Sequence, residues 1–365
     1  MNRNKIVFLT NHSIALYGVR KELLEDLSKT DCDVYIVTPP DEKNDFFHEL
    51  GFSVIERDID RRGMNPIKDI RLISFYRTIL KDIDPDIVLS FAVKPNIYGA
   101  IACNMLGIKQ ICNITGTGGT FLNNDFKAKL IKWLYRRSVK KSYKVYFQND
   151  GDKDFFVENK MIRSNWELLP GSGVNLDNYK YNDFPDNSNI SFIFVGRVLE
   201  LKGIDEYLEC AEYIKGKYEN TTFYVAGWIE EEKYTKIIDQ YKNKEIIEYL
   251  GFIDNVSKYI KKCECIILPS HGGEGVPNVL MESAAMGRVC IASDINGSRN
   301  VIDDQINGFL FEPKNSKQLI EKVEKYLSLD KKHRIEMGIN GRKRMEKLFD
   351  RKIVVDKYMN EIKKV

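Results

Sequence analysis

Short apolar runs alternate along almost the whole chain with stretches in which apolar residues return every three or four positions. In the first half, 5–10, 33–38, 53–56, 86–91, 110–114 and 144–148 read as strands. Between them 19–29, 42–50, 67–83, 96–106 and 125–141 read as helices. Strands apolar on both faces and set between helices belong in a parallel sheet covered on both sides. From Pro170 to Tyr181 the pattern lapses into Gly, Asn and Asp, and 182–189 is polar with a proline. The rhythm then restarts, with strands at 190–195, 221–226, 246–250, 265–268, 289–293 and 309–311. Helical patterns fall at 203–217, 231–243, 254–262, 279–286, about 298–303, 316–327, 331–349 and 351–364. This predicts an α/β chain of two doubly wound Rossmann-like domains, 1–175 and 176–350, with a last helix at about 351–365 packing back onto the first. Ligands of such sheets bind beyond the carboxyl ends of the strands, so two facing domains would share a cleft.

Composition narrows the partners. At 365 residues, 43 % hydrophobic and 30 % charged, the chain is long enough for two cores. No apolar run approaches the ~20 residues of a membrane-spanning helix, and no leader-like apolar segment follows the N-terminus. A net charge of +3, from 56 basic against 53 acidic residues, argues against a nucleic-acid partner. The seven cysteines are odd in number and include no Cys-x-x-Cys pair, so reduced core thiols are expected. The small net charge hides one concentration. Residues 126–144 hold eight Lys or Arg and no acid, with Leu130, Trp133 and Leu134 at helical spacing. The 127–144 stretch reads as a basic amphipathic helix that lies on an anionic membrane surface, or as a packed helix with a solvated basic face.

The densest chemistry lies at 270–282, Ser-His-Gly-Gly-Glu-Gly-Val-Pro-Asn-Val-Leu-Met-Glu. A buried strand runs into a glycine-rich loop, and a helix starts near Pro277. The free amides of Asn278 and Val279, at the positive end of that helix, suit a phosphate. Glu274 and Glu282 flank the helix start, where carboxylates can accept from sugar hydroxyls. A second cluster follows the strand at 190–195. Arg197 and Lys202 stand where cations clamp a diphosphate, and Gly196 and Gly203 let the backbone approach closely.

Gly196-Arg197 with Lys202-Gly203, the loop Gly251-Phe-Ile-Asp-Asn-Val256, Glu274 with Glu282, and Asn307-Gly-Phe-Leu310 occur in that order. This order resembles the family 4 retaining glycosyltransferases, which have the GT-B fold. Residues 61–66, 90–99 and 170–175 resemble the branch that builds bacterial capsule, O-antigen and related surface glycans. The resemblance covers essentially the whole chain. It implies transfer of a hexose or N-acetylhexosamine, with retention, from a UDP-sugar to a polyprenyl-diphosphate-linked glycan at the cytoplasmic membrane face. Glu274 would hold the donor sugar and Glu282 the ribose. Arg197 and Lys202 would neutralise the diphosphate, assisted by the amides of Asn278 and Val279, with Gly196, Gly275 and Val276 shaping the site. The 251–256 loop, including Ile253, would cradle the base.

The first domain departs from the family. Where members carry a double glycine touching the donor phosphate, this chain offers only Gly18, and no His follows the strand at 110–114. Acceptor-side candidates are Arg62, Lys94, Thr117 and Gly118. No metal or other cofactor is expected. Asp31-Cys-Asp33, Asp58-Ile-Asp60 and Asp82-Ile-Asp84 spell a cation-binding triplet but none follows an apolar strand as that chemistry requires, and the four His show no ligand spacing. Two rival readings remain: a GT-B-like UDP-sugar 2-epimerase, and a non-catalytic transferase-like partner subunit.

Overall fold

A computed structural model describes residues 3–60, 63, 65–117, 121, 125–185 and 189–365. The chain forms two compact units, Met1–Ser172 with Lys352–Val365, and Gly173–Arg351.

The first unit holds a seven-stranded sheet: β1 (Asn4–Leu9), β2 (Cys32–Thr38), β3 (Ser53–Glu56), β4 (Ile87–Phe91), β5 (Lys109–Ile114), β6 (Lys144–Phe147) and β7 (Trp166–Leu168). All pairings are parallel, in the order β3-β2-β1-β4-β5-β6-β7. Alternation along β1 builds a core on each face. Ile6 and Phe8 join Leu16, Leu23 and Leu27 on one side, while Val7 and Leu9 join Leu72, Tyr76 and Leu80 on the other. The helix Arg351–Ile362 lays Val354, Val355, Tyr358 and Ile362 into the first of these cores. The Tyr358 hydroxyl donates to Asn113 Oδ1 at the end of β5.

The second unit holds six parallel strands: β8 (Ile190–Val195), β9 (Thr221–Ala226), β10 (Glu248–Gly251), β11 (Cys265–Leu268), β12 (Val289–Ser293) and β13 (Gly308–Phe311). Their order is β10-β9-β8-β11-β12-β13. The order reverses between β8 and β11, whose register sets Phe192 opposite Cys265 and Ile193 opposite Ile266. Loops leaving these two strands must diverge to opposite sides, which opens a crevice at their carboxyl ends. The unit closes on itself near Gly173. There φ is +69°, and a Cβ would lie 2.5 Å from Arg351 Cα, so only glycine fits. The Arg351 guanidinium donates to Gly173 O at 3.0 Å and its amide to Val174 O at 3.0 Å.

Three departures from the pattern reading have local causes. The helix Asp150–Glu158 carries too weak an apolar stripe to stand out, and it is started by Asn149, whose side chain caps the Asp152 amide. β7 has only three residues. The basic helix stops at Arg137 and continues as a 3-10 turn over Val139–Lys141. Its packing stripe centres on Ala128, Ile131 and Tyr135, with Leu134 half-buried against the same core, and of the expected Leu130, Trp133 and Leu134 only Trp133 is left exposed. Phe126 and Trp133 face solvent, 80 % and 49 % exposed, and the Arg137 guanidinium lies over the Trp133 ring. All seven cysteines are free thiols, six of them buried.

Candidate active site

The crevice between β8 and β11 gathers the charged set from two crossovers. Lys202 ends a 3-10 turn, Glu200–Lys202, and its ammonium pairs with Glu274 Oε1 from the glycine-rich loop after β11. Both side chains are largely covered. Ser270 Oγ donates to the same Glu274 oxygen at 2.9 Å and lies 3.3 Å from Leu201 O. The loops touch directly. Gly203, at φ +74°, sits so close to Pro269 O that a Cβ would come within 1.9 Å of it. The His271 amide donates to Leu201 O at 2.9 Å.

Arg197, two residues beyond β8, pairs with Glu230 at 2.6 Å. The backbone fixes Glu230 in turn, since its amide donates to Val198 O at 3.1 Å. Each of the two cations thus has a carboxylate for partner. The helix Asn278–Ala285 begins after Pro277, and the amides of Asn278 and Val279 make no hydrogen bond. Such orphan donors at a helix start favour an anion. Asn278 Oδ1 is also buried without a partner.

Glu282 lies one turn into this helix. Burial pushes its carboxyl above the usual carboxylate range, an effect opposed by a hydrogen bond from Tyr179 and by the Arg351 charge. At the ends of β9 and β10, Trp228 and Phe252 stand exposed with ring centroids 5.9 Å apart, beside the Ile253 loop. Gly196 follows β8 directly, with its amide donated to Ala226 O, while Gly275 and Val276 are buried in the loop before the helix.

In the first unit only some of the expected residues are described. Arg62 and Gly118 lie outside the described residues. Gly18 ends the short helix Ile14–Tyr17, and its amide is spent on Ile14 O at 2.9 Å, so it offers no free donor. Thr117 hydrogen-bonds to Asp152. Lys94 is buried and pairs with Asp69 at 2.8 Å, so its charge is matched before any ligand arrives. This pair lines a pocket of about 990 Å³ at the carboxyl ends of β1–β4, with Asp41, Glu56 and Asp58 among its acids and Arg57, Lys68 and Arg71 among its bases. Mixed charge of this kind matches a polyol better than a lone phosphate.

Glu230, Ser270 and Glu206 escape a reading by motif. Each lies in a loop or first helical turn beyond the carboxyl end of a strand, the place where a parallel sheet presents side chains to ligand. Among the described residues no group of three or more His, Cys, Asp or Glu is placed to hold a metal ion.

Residues 179–344 match the family described as Glycosyl transferases group 1, and 5–149 match Glycosyl transferase 4-like. The chain is 25 % identical over 372 residues to N,N'-diacetylbacillosaminyl-diphospho-undecaprenol alpha-1,3-N-acetylgalactosaminyltransferase of Campylobacter jejuni, covering 97 % of each. It is 26 % identical over 326 residues to UDP-Gal:alpha-D-GlcNAc-diphosphoundecaprenol alpha-1,3-galactosyltransferase of Escherichia coli, covering 82 % of this chain and 83 % of the relative. Its fold is similar to that of Anabaena HepE solved with UDP-glucose, at a TM-score of 0.82 and 14 % identity over 99 % of this chain and 100 % of the other. The two matches between them take in the body of both units, and the chain belongs to the family 4 glycosyltransferases of GT-B fold.

Proposed function

We propose that the chain moves a hexose or N-acetylhexosamine, with retention, from a UDP-sugar to a polyprenyl-diphosphate-linked glycan during synthesis of a bacterial surface polysaccharide. The observation that carries this is the β8–β11 crevice, where two cations, two free helix amides and a sugar-facing carboxylate converge. Negative charge grows on the departing diphosphate as the anomeric bond breaks. Arg197, Lys202 and the amides of Asn278 and Val279 are fixed in advance to receive it, which lowers the barrier. These groups supply the neutralisation that a divalent cation provides in other transferases, so the donor is read as the only small molecule required. Glu274 orients the sugar, Glu282 accepts from the ribose, and the Ile253 loop holds the base. The relatives named above are transferases, which favours transfer over the epimerase reading.

The pocket at Lys94 and Asp69 is assigned to the acceptor's sugar, because paired acids and bases can meet hydroxyls in both directions. Access to a lipid-linked acceptor places the chain at the cytoplasmic membrane face. Phe126, Lys129, Trp133 and Arg137 share one outward side of the helix Phe126–Arg137, apolar rings beside cations, as an anionic bilayer surface requires. No described helix is long and apolar enough to cross a membrane.

A panel of nucleotides and nucleotide sugars tests the donor. The right donor at about 100 times its Kd adds about 2.7 kcal/mol of stability, read as a rise in Tm, and transfers its sugar to a polyprenyl-diphosphate glycan. Stabilisation by GDP-sugars alone would overturn the uridine assignment. Conversion of the donor to an epimer without acceptor would favour the epimerase, and binding with no transfer to any acceptor would favour the partner subunit.

Donor affinity should also depend on pH. The folded protein holds the Glu282 proton more tightly than the unfolded chain. That contribution to stability is present below the ordinary value of 4.5 and is lost as pH rises through the raised one. Ribose binding needs the ionised carboxylate, so UDP affinity is expected to rise over the same window and then level off. Glu282→Gln should flatten this rise in calorimetric titrations.

A further inference from the structure

The loop that carries Glu274 has little geometry of its own. Gly272 and Gly273 separate His271 from Glu274, with φ of +143° and +74°, conformations that side-chain-bearing residues rarely hold. His271 is therefore the last anchored side chain before two glycines and the sugar-facing carboxylate. Its Nε2 lies 2.9 Å from Glu206 Oε1, on the first turn of the helix Ile204–Lys217, and both side chains are about nine-tenths buried. The other Glu206 oxygen is buried with no partner, so Glu206 grips His271 through a single hydrogen bond.

We propose that Glu206 and His271 form a positioning latch that sets the sugar specificity and turnover of the donor site without touching the donor. The latch completes a seam between the two crossovers. Leu201 O takes the Ser270 and His271 bonds, Gly203 abuts Pro269 O, and Lys202 meets Glu274. The backbone contacts fix where the loop leaves β11. His271 fixes how the chain enters the glycine pair, while Lys202 and Ser270 hold the Glu274 carboxylate from its far side, so the carboxylate's place depends on the backbone that His271 anchors as well as on those two contacts. The diphosphate groups have holds of their own beside the latch: the Lys202 amide donates to Leu199 O at 3.0 Å, and Arg197 pairs with Glu230 from the loop after β9. Losing the latch should thus injure sugar recognition and leave nucleotide recognition alone.

This rests on the donor assignment proposed above, and its test separates the two. UDP and the accepted UDP-sugar are titrated calorimetrically into the wild type, His271→Ala, His271→Gln, Glu206→Ala, Glu206→Gln and the double alanine variant, and kcat and KM are measured for each. In the alanine variants UDP affinity should stay within about twofold, while kcat/KM for the UDP-sugar falls about 100-fold, the scale of a 1 Å misplacement. Glutamine at either position keeps a hydrogen-bonding group near the same point and should restore most of the activity. The double variant should be no worse than the single ones, because the two residues act as one unit. Equal losses of UDP and UDP-sugar affinity with a lowered Tm, or no loss of either, would overturn the latch. Failure of the wild type to bind any UDP-sugar would overturn the donor assignment itself and the latch with it.

Discussion

Replacing Glu274 with alanine is expected to cut transfer by about 10²–10³-fold, leaving the fold intact and UDP binding undiminished. The carboxylate is assigned to the sugar, so its loss removes orientation of the reacting centre rather than anchorage of the nucleotide. Glu274 also neutralises Lys202. The alanine variant leaves that ammonium free, and UDP alone should bind as tightly as in the wild type or more tightly. Calorimetry with UDP, beside turnover with the UDP-sugar, reads both effects. Near-normal turnover would sink the assignment of Glu274 to the donor sugar.

Lys202→Met is expected to have the mirror-image result: a similar fall in kcat, of about 10²–10³-fold, accompanied by weaker UDP binding. The lysine is assigned to charge that develops on the leaving diphosphate, and its removal also leaves Glu274, a largely covered carboxylate, without its cation. That unmatched negative charge then faces the incoming phosphates. The two substitutions break one ion pair from opposite ends, yet they should move UDP affinity in opposite directions. If both weaken UDP alike, Lys202 and Glu274 serve only to hold the loops together. Arg197→Ala offers a control within the same unit, because its partner Glu230 comes from the loop after β9 rather than from the glycine-rich loop.

Much of this site was legible as a pattern of residues. Parallel strands buried on both faces leave an unbroken apolar signature, so the strand rhythm survives without any tertiary information. Arg197, Lys202, Glu274 and Glu282 stand out because charge just beyond such a strand is exposed to ligand. Their partners are another matter. Glu230, which meets Arg197, and Glu206, which meets His271, look like ordinary surface acids, and only the strand order, with β9 and β11 on either side of β8, decides which loops meet. The helix Phe126–Arg137 misled for a different reason. Its apolar residues fall on more than one side, and spacing alone cannot tell those that pack, Ala128, Ile131, Leu134 and Tyr135, from Phe126 and Trp133, which stay in solvent. Lys94 keeps its place on the acceptor side, but its charge is shared with a half-buried Asp69 twenty-five residues away, a pairing that the sequence does not announce.

The division of the chain has a consequence for its synthesis. The second unit is one continuous segment, inserted between the body of the first unit and the helix that covers one of its cores. At ribosomal rates of about 5–20 residues per second, roughly 10–40 seconds pass between completion of β7 and arrival of Val354, Val355, Tyr358 and Ile362. Through that interval the nascent chain carries a sheet with part of one apolar face still waiting for its cover. A holding chaperone, or prompt folding of the second unit, therefore matters more to the yield of this protein than the stability of either finished unit.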